Sequence, residues 1–151
     1  MIECDKKMNS NYLIEGPVTA GIVASLIEIM AAEKNSGGHS YFLGQVRADV
    51  IDGKSVVAID YSAYESMVKA QADKIITSIL SEFHDVRTVR ILHSTGIVKA
   101  GEISLAVMVS AGHRKQAIDA CTKTVELIKE LLPVWKKEIF DDNSHTWREN
   151  Q

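Results

Sequence analysis

Apolar residues recur along the chain in two rhythms, one helical and one alternating. From Pro17 to Ala32, Ile22, Val23, Leu26, Ile29 and Met30 fall at helical spacing after a Pro-Val-Thr start suited to a first turn, and Asn35-Ser-Gly-Gly38 closes the segment. A second amphipathic helix is expected over 66–83, where Val68, Ala72, Ile75, Ile76, Ile79 and Phe83 share a stripe with lysines opposite. A third runs from about His113 to Leu131 on Ala117, Cys121, Val125, Ile128 and Leu132. It must stop there, because Pro133 has no N–H to donate back and its ring clashes with the preceding turn.

Four β-like runs lie between these helices, at 40–47, 56–64, 88–94 and 103–110. Asp52-Gly53 is a turn signal, so 40–47 and 56–64 are expected to pair antiparallel across a longer loop. The runs 88–94 and 103–110 are joined through TGIVKAGE and should also be neighbours. The order α-β-β-α-β-β-α with short connections predicts an α+β domain, helices packed on a mainly antiparallel sheet. Residues 1–14 read as a ragged segment and 15–151 as a single domain, with Trp147 in the tail packing back on it.

Composition narrows the function classes. A chain of 151 residues with 46% hydrophobic content can bury one sizeable core. A net charge of -3 and a pI near 5.9 exclude the broad basic field of non-specific nucleic-acid binding, so any anion site must be local. Cys4 and Cys121 form no CxxC pair or Cys/His cluster, which suits a reducing, cytoplasmic setting. The first residues lack the apolar core of a secretion signal, and no apolar run approaches the roughly 20 residues of a membrane span.

Candidate chemistry lies at element ends. VSAGHRKQA, from Val109 to Ala117, runs off a strand through glycine into a helix start, placing His113 and Arg114 beside unpaired backbone N–H groups. Such a terminus suits a phosphate or carboxylate; the plainer alternative is a Ser110 cap with both side chains in water. Lys129, Lys136 and Lys137 surround the apolar run Leu131-Leu132-Pro133-Val134-Trp135. Compensation of the helix dipole alone would account for Lys129. Arg47 ends a strand. His39, His84, His93 and His145 lack metal-ligand spacing, and GxSxG, Walker A and GxGxxG motifs are absent, so no metal and no cofactor are expected. Catalysis would then run on lysine, arginine and histidine, toward anionic or carbonyl-bearing substrates.

Three islands together, YFLGQVR (41–47), VSAGHR (109–114) and LIKELLPVWKKE (127–138), resemble the large, catalytic subunit family of molybdopterin synthase. IDYSAYESM (59–67) and HSTGIVKAGE (93–102) agree with that family's Tyr-Glu-Ala-Tyr-x-x-Met and His-Arg-x-Gly-x-x-x-x-Gly-Glu segments. The departures are Ser62 for a glutamate, Ser94-Thr95 in place of an arginine-bearing turn, and His39-Ser40-Tyr41 for small aliphatics.

The resemblance implies an α/β-hammerhead-like fold with a small additional β subdomain. It implies a sulfurtransferase that takes sulfur from the C-terminal Gly-Gly thiocarboxylate of a small ubiquitin-like subunit and delivers it to cyclic pyranopterin monophosphate, forming the dithiolene of molybdopterin. It also implies a homodimer of large subunits within a heterotetramer. By the same resemblance Lys129 and Lys136 are catalytic, and Arg47, His113 and Arg114 line the substrate's anionic end. Phe42, in the apolar wall, and Lys137, which adds charge, are expected among the substrate-binding residues, and Glu138 is expected to orient a lysine through a salt bridge. The alternatives are a non-catalytic binding module for a ubiquitin-like protein and a small regulator that binds a phosphate-bearing metabolite through His113 and Arg114.

Overall fold

A computed structural model describes residues 11–149. Three helices pack on one eight-stranded sheet. In chain order the elements are β1 (Leu13–Glu15), α1 (Ala20–Ala31), β2 (Gly38–Gln45), β3 (Val50–Ile51), β4 (Lys54–Ala63), α2 (Glu65–Glu82), β5 (Val86–Lys99), β6 (Ile103–Ala111), α3 (Arg114–Leu131), β7 (Val134–Phe140) and β8 (His145–Glu149). The strands lie in the order β2-β6-β5-β4-β7-β8, with β1 added parallel to β5 and β3 paired with β4.

Strand β6, next to the β2 edge, is apolar along almost its whole length because it is covered on both faces. Its odd-numbered residues Leu105, Val107 and Val109 join the main core with Val68, Ile75, Ile76 and Ile79 of α2 and Ala117, Cys121 and Ile128 of α3. Its even-numbered Ala106 and Met108 meet Met30 of α1, with Val23 and Leu26 packed alongside. The two-residue period of a strand therefore assigns each helix its side. At 25 to 30 cal/mol per Å² of apolar surface, burying each such aliphatic side chain contributes about 1.5–3 kcal/mol. Thr19 caps α1 by accepting from the Ile22 N–H at 3.3 Å, one turn inside the predicted start.

The three predicted helices and four predicted strands are present, but their partnerships differ from expectation. β2 does not pair with β4; it lies antiparallel to β6, at the edge of the sheet. The Asp52-Gly53 signal is a turn, with both residues at positive φ, yet it closes a short hairpin between β3 and β4 instead of joining the longer strands. β5 runs unbroken through Gly96, its first part pairing with β6 and its last with β4, so the turn falls at Ala100-Gly101. β7 and β8 form an additional hairpin beside β4.

At the N-terminus, β1 and the buried Tyr12, whose hydroxyl donates to Asp73 at 2.5 Å, are integral to the fold, so the expected boundary at residue 14 falls inside a strand. Cys4 lies outside the described residues, and Cys121 is a buried thiol whose pKa burial raises.

Candidate functional site

α3 ends where Pro133 requires it to, with Leu132 as the extended C-cap, and the chain turns directly into β7. That turn brings Lys129, in the last helical turn, and Lys136, on the inward face of β7, into one polar cavity of about 370 Å³. β2 and the segment after it supply Phe42, Gln45, Arg47 and Asp49; β4 supplies Ile59 and Tyr61; β6 supplies Ser104; β7 adds Glu138.

Two cations in a half-enclosed cavity perturb each other. Burial, and then the neighbouring charge of Lys136, lower the pKa of Lys129 from its ordinary value. Beneath the lysines sits His93, 1% exposed, with its edge toward the Tyr61 ring at 5.1 Å between centroids. Its Nδ1 lies 2.8 Å from the Ser94 carbonyl oxygen, which can only accept, so that nitrogen carries the proton. Burial pushes the pKa of His93 down to about 4; the Ser94 bond opposes this, while the charges of Lys129 and Lys136 add to it. The imidazole is therefore neutral at physiological pH. The Tyr61 hydroxyl donates to Ser104 Oγ at 3.1 Å, and burial raises the phenol's pKa against a smaller opposing effect of that bond. The cavity thus offers two ammonium groups, one of them predisposed to lose its proton, beside neutral hydroxyls, with the neutral imidazole buried behind the Tyr61 ring. Such an arrangement can hold an anion and exchange a proton with it.

Of the residues singled out from sequence, Lys129, Lys136, Arg47 and Phe42 converge here. Arg47 is well exposed and bonds Asp49 at 3.2 Å. Three do not converge within one copy. Lys137 alternates to the opposite face of β7, 3.8 Å from Asp60 and with its ammonium 5.2 Å from the centre of the Trp147 ring. His113, the N-cap, and Arg114, the first residue, sit at the other end of α3; Arg114 is fifteen residues from Lys129 and so about 22 Å away along the axis. The helix N-terminus there already has an anion from its own chain. Asp85 Oδ2 accepts from the His113 backbone N–H at 2.7 Å and lies 3.1 Å from its Nδ1. Burial works against that charge, yet the His113 contacts and Arg87 hold the carboxyl below its usual range. Ser110 is not the cap; it is buried within β6. Nor does Glu138 pair with a lysine: its carboxylate meets Arg148 across the β7–β8 hairpin.

The residues not foreseen are Tyr61 and Ser104, which line the cavity, and His93, buried behind it against the Tyr61 ring. Each had a signal, a polar side chain recurring inside an apolar strand, but only the strand pairing directs all three to one place.

The sequence model described as MoaE protein matches residues 18–131. A molybdopterin synthase catalytic subunit of Dictyostelium discoideum is 37% identical over 123 residues, covering 80% of this chain and 77% of that protein. One of Drosophila pseudoobscura pseudoobscura is 35% identical over 144 residues; the match covers 95% of this chain but only 38% of that longer protein. Among solved structures, molybdopterin synthase from Staphylococcus aureus superposes with a TM-score of 0.79 at 26% identity, covering 93% of this chain and 98% of the other. A protein–protein complex of subunits 1 and 2 of molybdopterin-converting factor from Helicobacter pylori shares the fold, with a TM-score of 0.76 at 23% identity, covering 90% of this chain and 88% of the other.

Proposed function

The chain belongs to the MoaE protein family, and we propose that it is the catalytic subunit of a molybdopterin synthase, transferring sulfur from the thiocarboxylated C-terminus of a small ubiquitin-like subunit to cyclic pyranopterin monophosphate. The observation that carries this reading is the convergence of Lys129 and Lys136 in one cavity, with the pKa of Lys129 lowered. A thiocarboxylate is an anion that must lose its sulfur. Each transfer is a net exchange of sulfur for oxygen: the donor's acyl carbon–sulfur bond breaks as its acyl carbon–oxygen bond forms, and a carbon–oxygen bond of the pterin side chain breaks as its carbon–sulfur bond forms, so the oxygen the pterin loses balances the one the donor gains. Two ammonium groups stabilise the anion, and the one that gives up its proton readily acts at the reacting centre. We assign that role to Lys129 and assign positioning of the thiocarboxylate to Lys136.

Arg47 serves the substrate's anionic end from the same copy. For His113 and Arg114 to serve it too, they must come from a second copy, because α3 holds them about 22 Å from their own Lys129. The edge strand β2 offers a route. Gly38, at one end of β2, lies against Arg114, where an added Cβ would be 3.6 Å from the arginine Cα, and the other end leads to Arg47. Antiparallel pairing of two β2 edges about a twofold axis sets the first end of one copy against the second end of the other, and pairing also protects the open edge. The homodimer carries the small subunits at its outer ends, in the cytoplasm. Incubating the chain with a thiocarboxylated small subunit and the cyclic pterin, and assaying for the dithiolene, tests the reading; binding of the partner without product formation would favour a docking module instead.

A further inference from the structure

Tyr61 and Ser104 line the lysine cavity, yet neither has a task in the chemistry above. Ser104 reaches the cavity through an irregularity of β6. Leu105 stands opposite Gly44 of β2 and Ile103 opposite Gln45, so Ser104 is the extra residue of a bulge, with no residue of β2 across from it. Strict alternation would send Ser104 to the α1 side with Ala106 and Met108. The bulge gives that side to Ile103 and leaves Ser104 in the cavity that Lys129 and Lys136 share. Tyr61 meets it there from β4, donating to Ser104 Oγ at 3.1 Å, while the edge of His93 fixes the tyrosine ring. Two hydroxyls that share one hydrogen bond leave one hydroxyl hydrogen over, and with Tyr61 donating it is the one on Ser104. The carboxylates lining the same cavity are committed elsewhere, Asp49 to Arg47 and Glu138 to Arg148. A spare donor on a buried residue, aimed by a bulge, is a preorganised partner for an oxygen that a ligand brings.

We propose that Ser104 is a catalytic residue of the transfer, donating a hydrogen bond to the acyl oxygen of the sulfur donor's terminus, and that Tyr61 is the positioning residue that orients it; the inference rests on the function proposed above. For the acyl carbon–sulfur bond to break, an oxygen nucleophile must add to the acyl carbon. Once the pterin's oxygen has left as water, sulfur is bonded to the pterin carbon on one side and to the acyl carbon on the other. Water adds to the acyl carbon as one of its protons passes to the Lys129 amine, and the carbonyl electron pair moves onto the acyl oxygen. The pair then returns and the carbon–sulfur bond breaks with its electrons going to sulfur, giving a pterin thiolate and the donor's carboxylic acid. Charge on the acyl oxygen is greatest between these two events, so a donor aimed at that oxygen stabilises the transition state more than the ground state. Lys136 answers the charge on sulfur and Ser104 the charge on oxygen. The serine hydroxyl neither gains nor loses its proton, and burial, which raises the Tyr61 pKa, keeps the phenol a donor as well.

The test is single-turnover sulfur transfer by the full chain, with thiocarboxylated small subunit and the cyclic pterin, in Ser104→Ala, Tyr61→Phe and the double variant, with melting temperatures measured in parallel. Ser104→Ala should lower the rate at saturation about 100-fold and leave the half-saturating concentration of the subunit within about threefold of wild type. Tyr61→Phe should cost about tenfold, since the donor remains but is less well aimed, and should not move the pH at which the rate rises. Stability and rate should separate in the double variant. Ser104→Ala leaves the Tyr61 hydroxyl buried without a partner and lowers the melting temperature; removing that hydroxyl as well should restore it. The rate should nevertheless stay as low as in Ser104→Ala alone, because Tyr61 acts through Ser104. A rate in Ser104→Ala within about threefold of wild type overturns the proposal. So does a rate that returns together with the melting temperature in the double variant, which would make the pair structural only. Absence of dithiolene formation by wild type is read before any variant, and it overturns the function and this inference with it.

Discussion

Lys129 and His93 show how one environment gives two residues opposite tasks. Burial disfavours the charged form of both, and the lysine charges reinforce the effect. For Lys129 the consequence is a fraction of free amine at lower pH than an ordinary lysine provides. If the amine form is the active one, the single-turnover rate rises with pH through the lowered pKa. Lys136→Gln, which removes one of the two causes, should shift that rise to higher pH, and an unmoved profile would show that Lys136 does not tune Lys129. For His93 the consequence is for stability. Its folded-state pKa of about 4 lies below the ordinary 6.5, so the unfolded chain takes up the proton first as pH falls. The contribution is present above about pH 6.5 and is lost progressively toward pH 4. Melting temperatures measured across that window should fall less steeply in His93→Phe than in the parent.

The two lysines could be read from the sequence because Pro133 fixes where the helix ends and because LIKELLPVWKKE resembles a known family. Tyr61, Ser104 and His93 could not, because each belongs to a different strand and a strand's alternation does not say which strand lies beside it. Burial of His93 in particular depends on β1, β4 and α3 closing around β5, and nothing near His93 in the chain encodes that.

At the scale of elements, helix positions were legible and sheet partners were not. The stripes of α2 and α3 emerge as predicted because i, i+3 and i+4 positions are local. β7 was hidden because Lys136, Lys137 and Glu138 interrupt its apolar alternation, and two of these polar residues face the cavity instead of water. The Asp52-Gly53 turn was recognised but given the wrong strands, since a turn residue specifies geometry and not partners.

The start of α3 shows local and tertiary demands combining. A Cβ on Gly112 would lie 2.5 Å from Asp85 Oδ1, so the residue must be glycine for the carboxylate to reach the His113 N–H. Gly112→Ala should cost about 1–3 kcal/mol from overpacking at that contact, measured by chemical denaturation. Asp85→Ala combined with Gly112→Ala should cost less than the sum of the two single changes, because the clash is absent once the carboxylate is gone.

At the scale of the molecule, the sheet has two differently equipped ends, an open β2 edge beside the lysine cavity and an aromatic β8 edge outside it. If β2 pairs with a second copy, Lys129→Ala and Arg114→Ala are defects on opposite sides of one shared site. Each variant alone should be nearly inactive. After dissociation and reassociation of an equal mixture, half the dimers are hybrids with one intact site of two, so about one quarter of wild-type activity should return. No recovery would place His113 and Arg114 outside the site.

Sulfur transfer at Lys129 is the central claim, and it is tested most directly by single-turnover dithiolene formation in Lys129→Ala and Lys129→Arg, with partner affinity measured in parallel. Both variants should keep their fold and bind the small subunit as wild type does, and both should lose nearly all transfer, since a guanidinium keeps the charge but does not readily give up a proton. A near-normal rate in Lys129→Arg would show that Lys129 contributes charge alone and would contradict its assignment to the reacting centre.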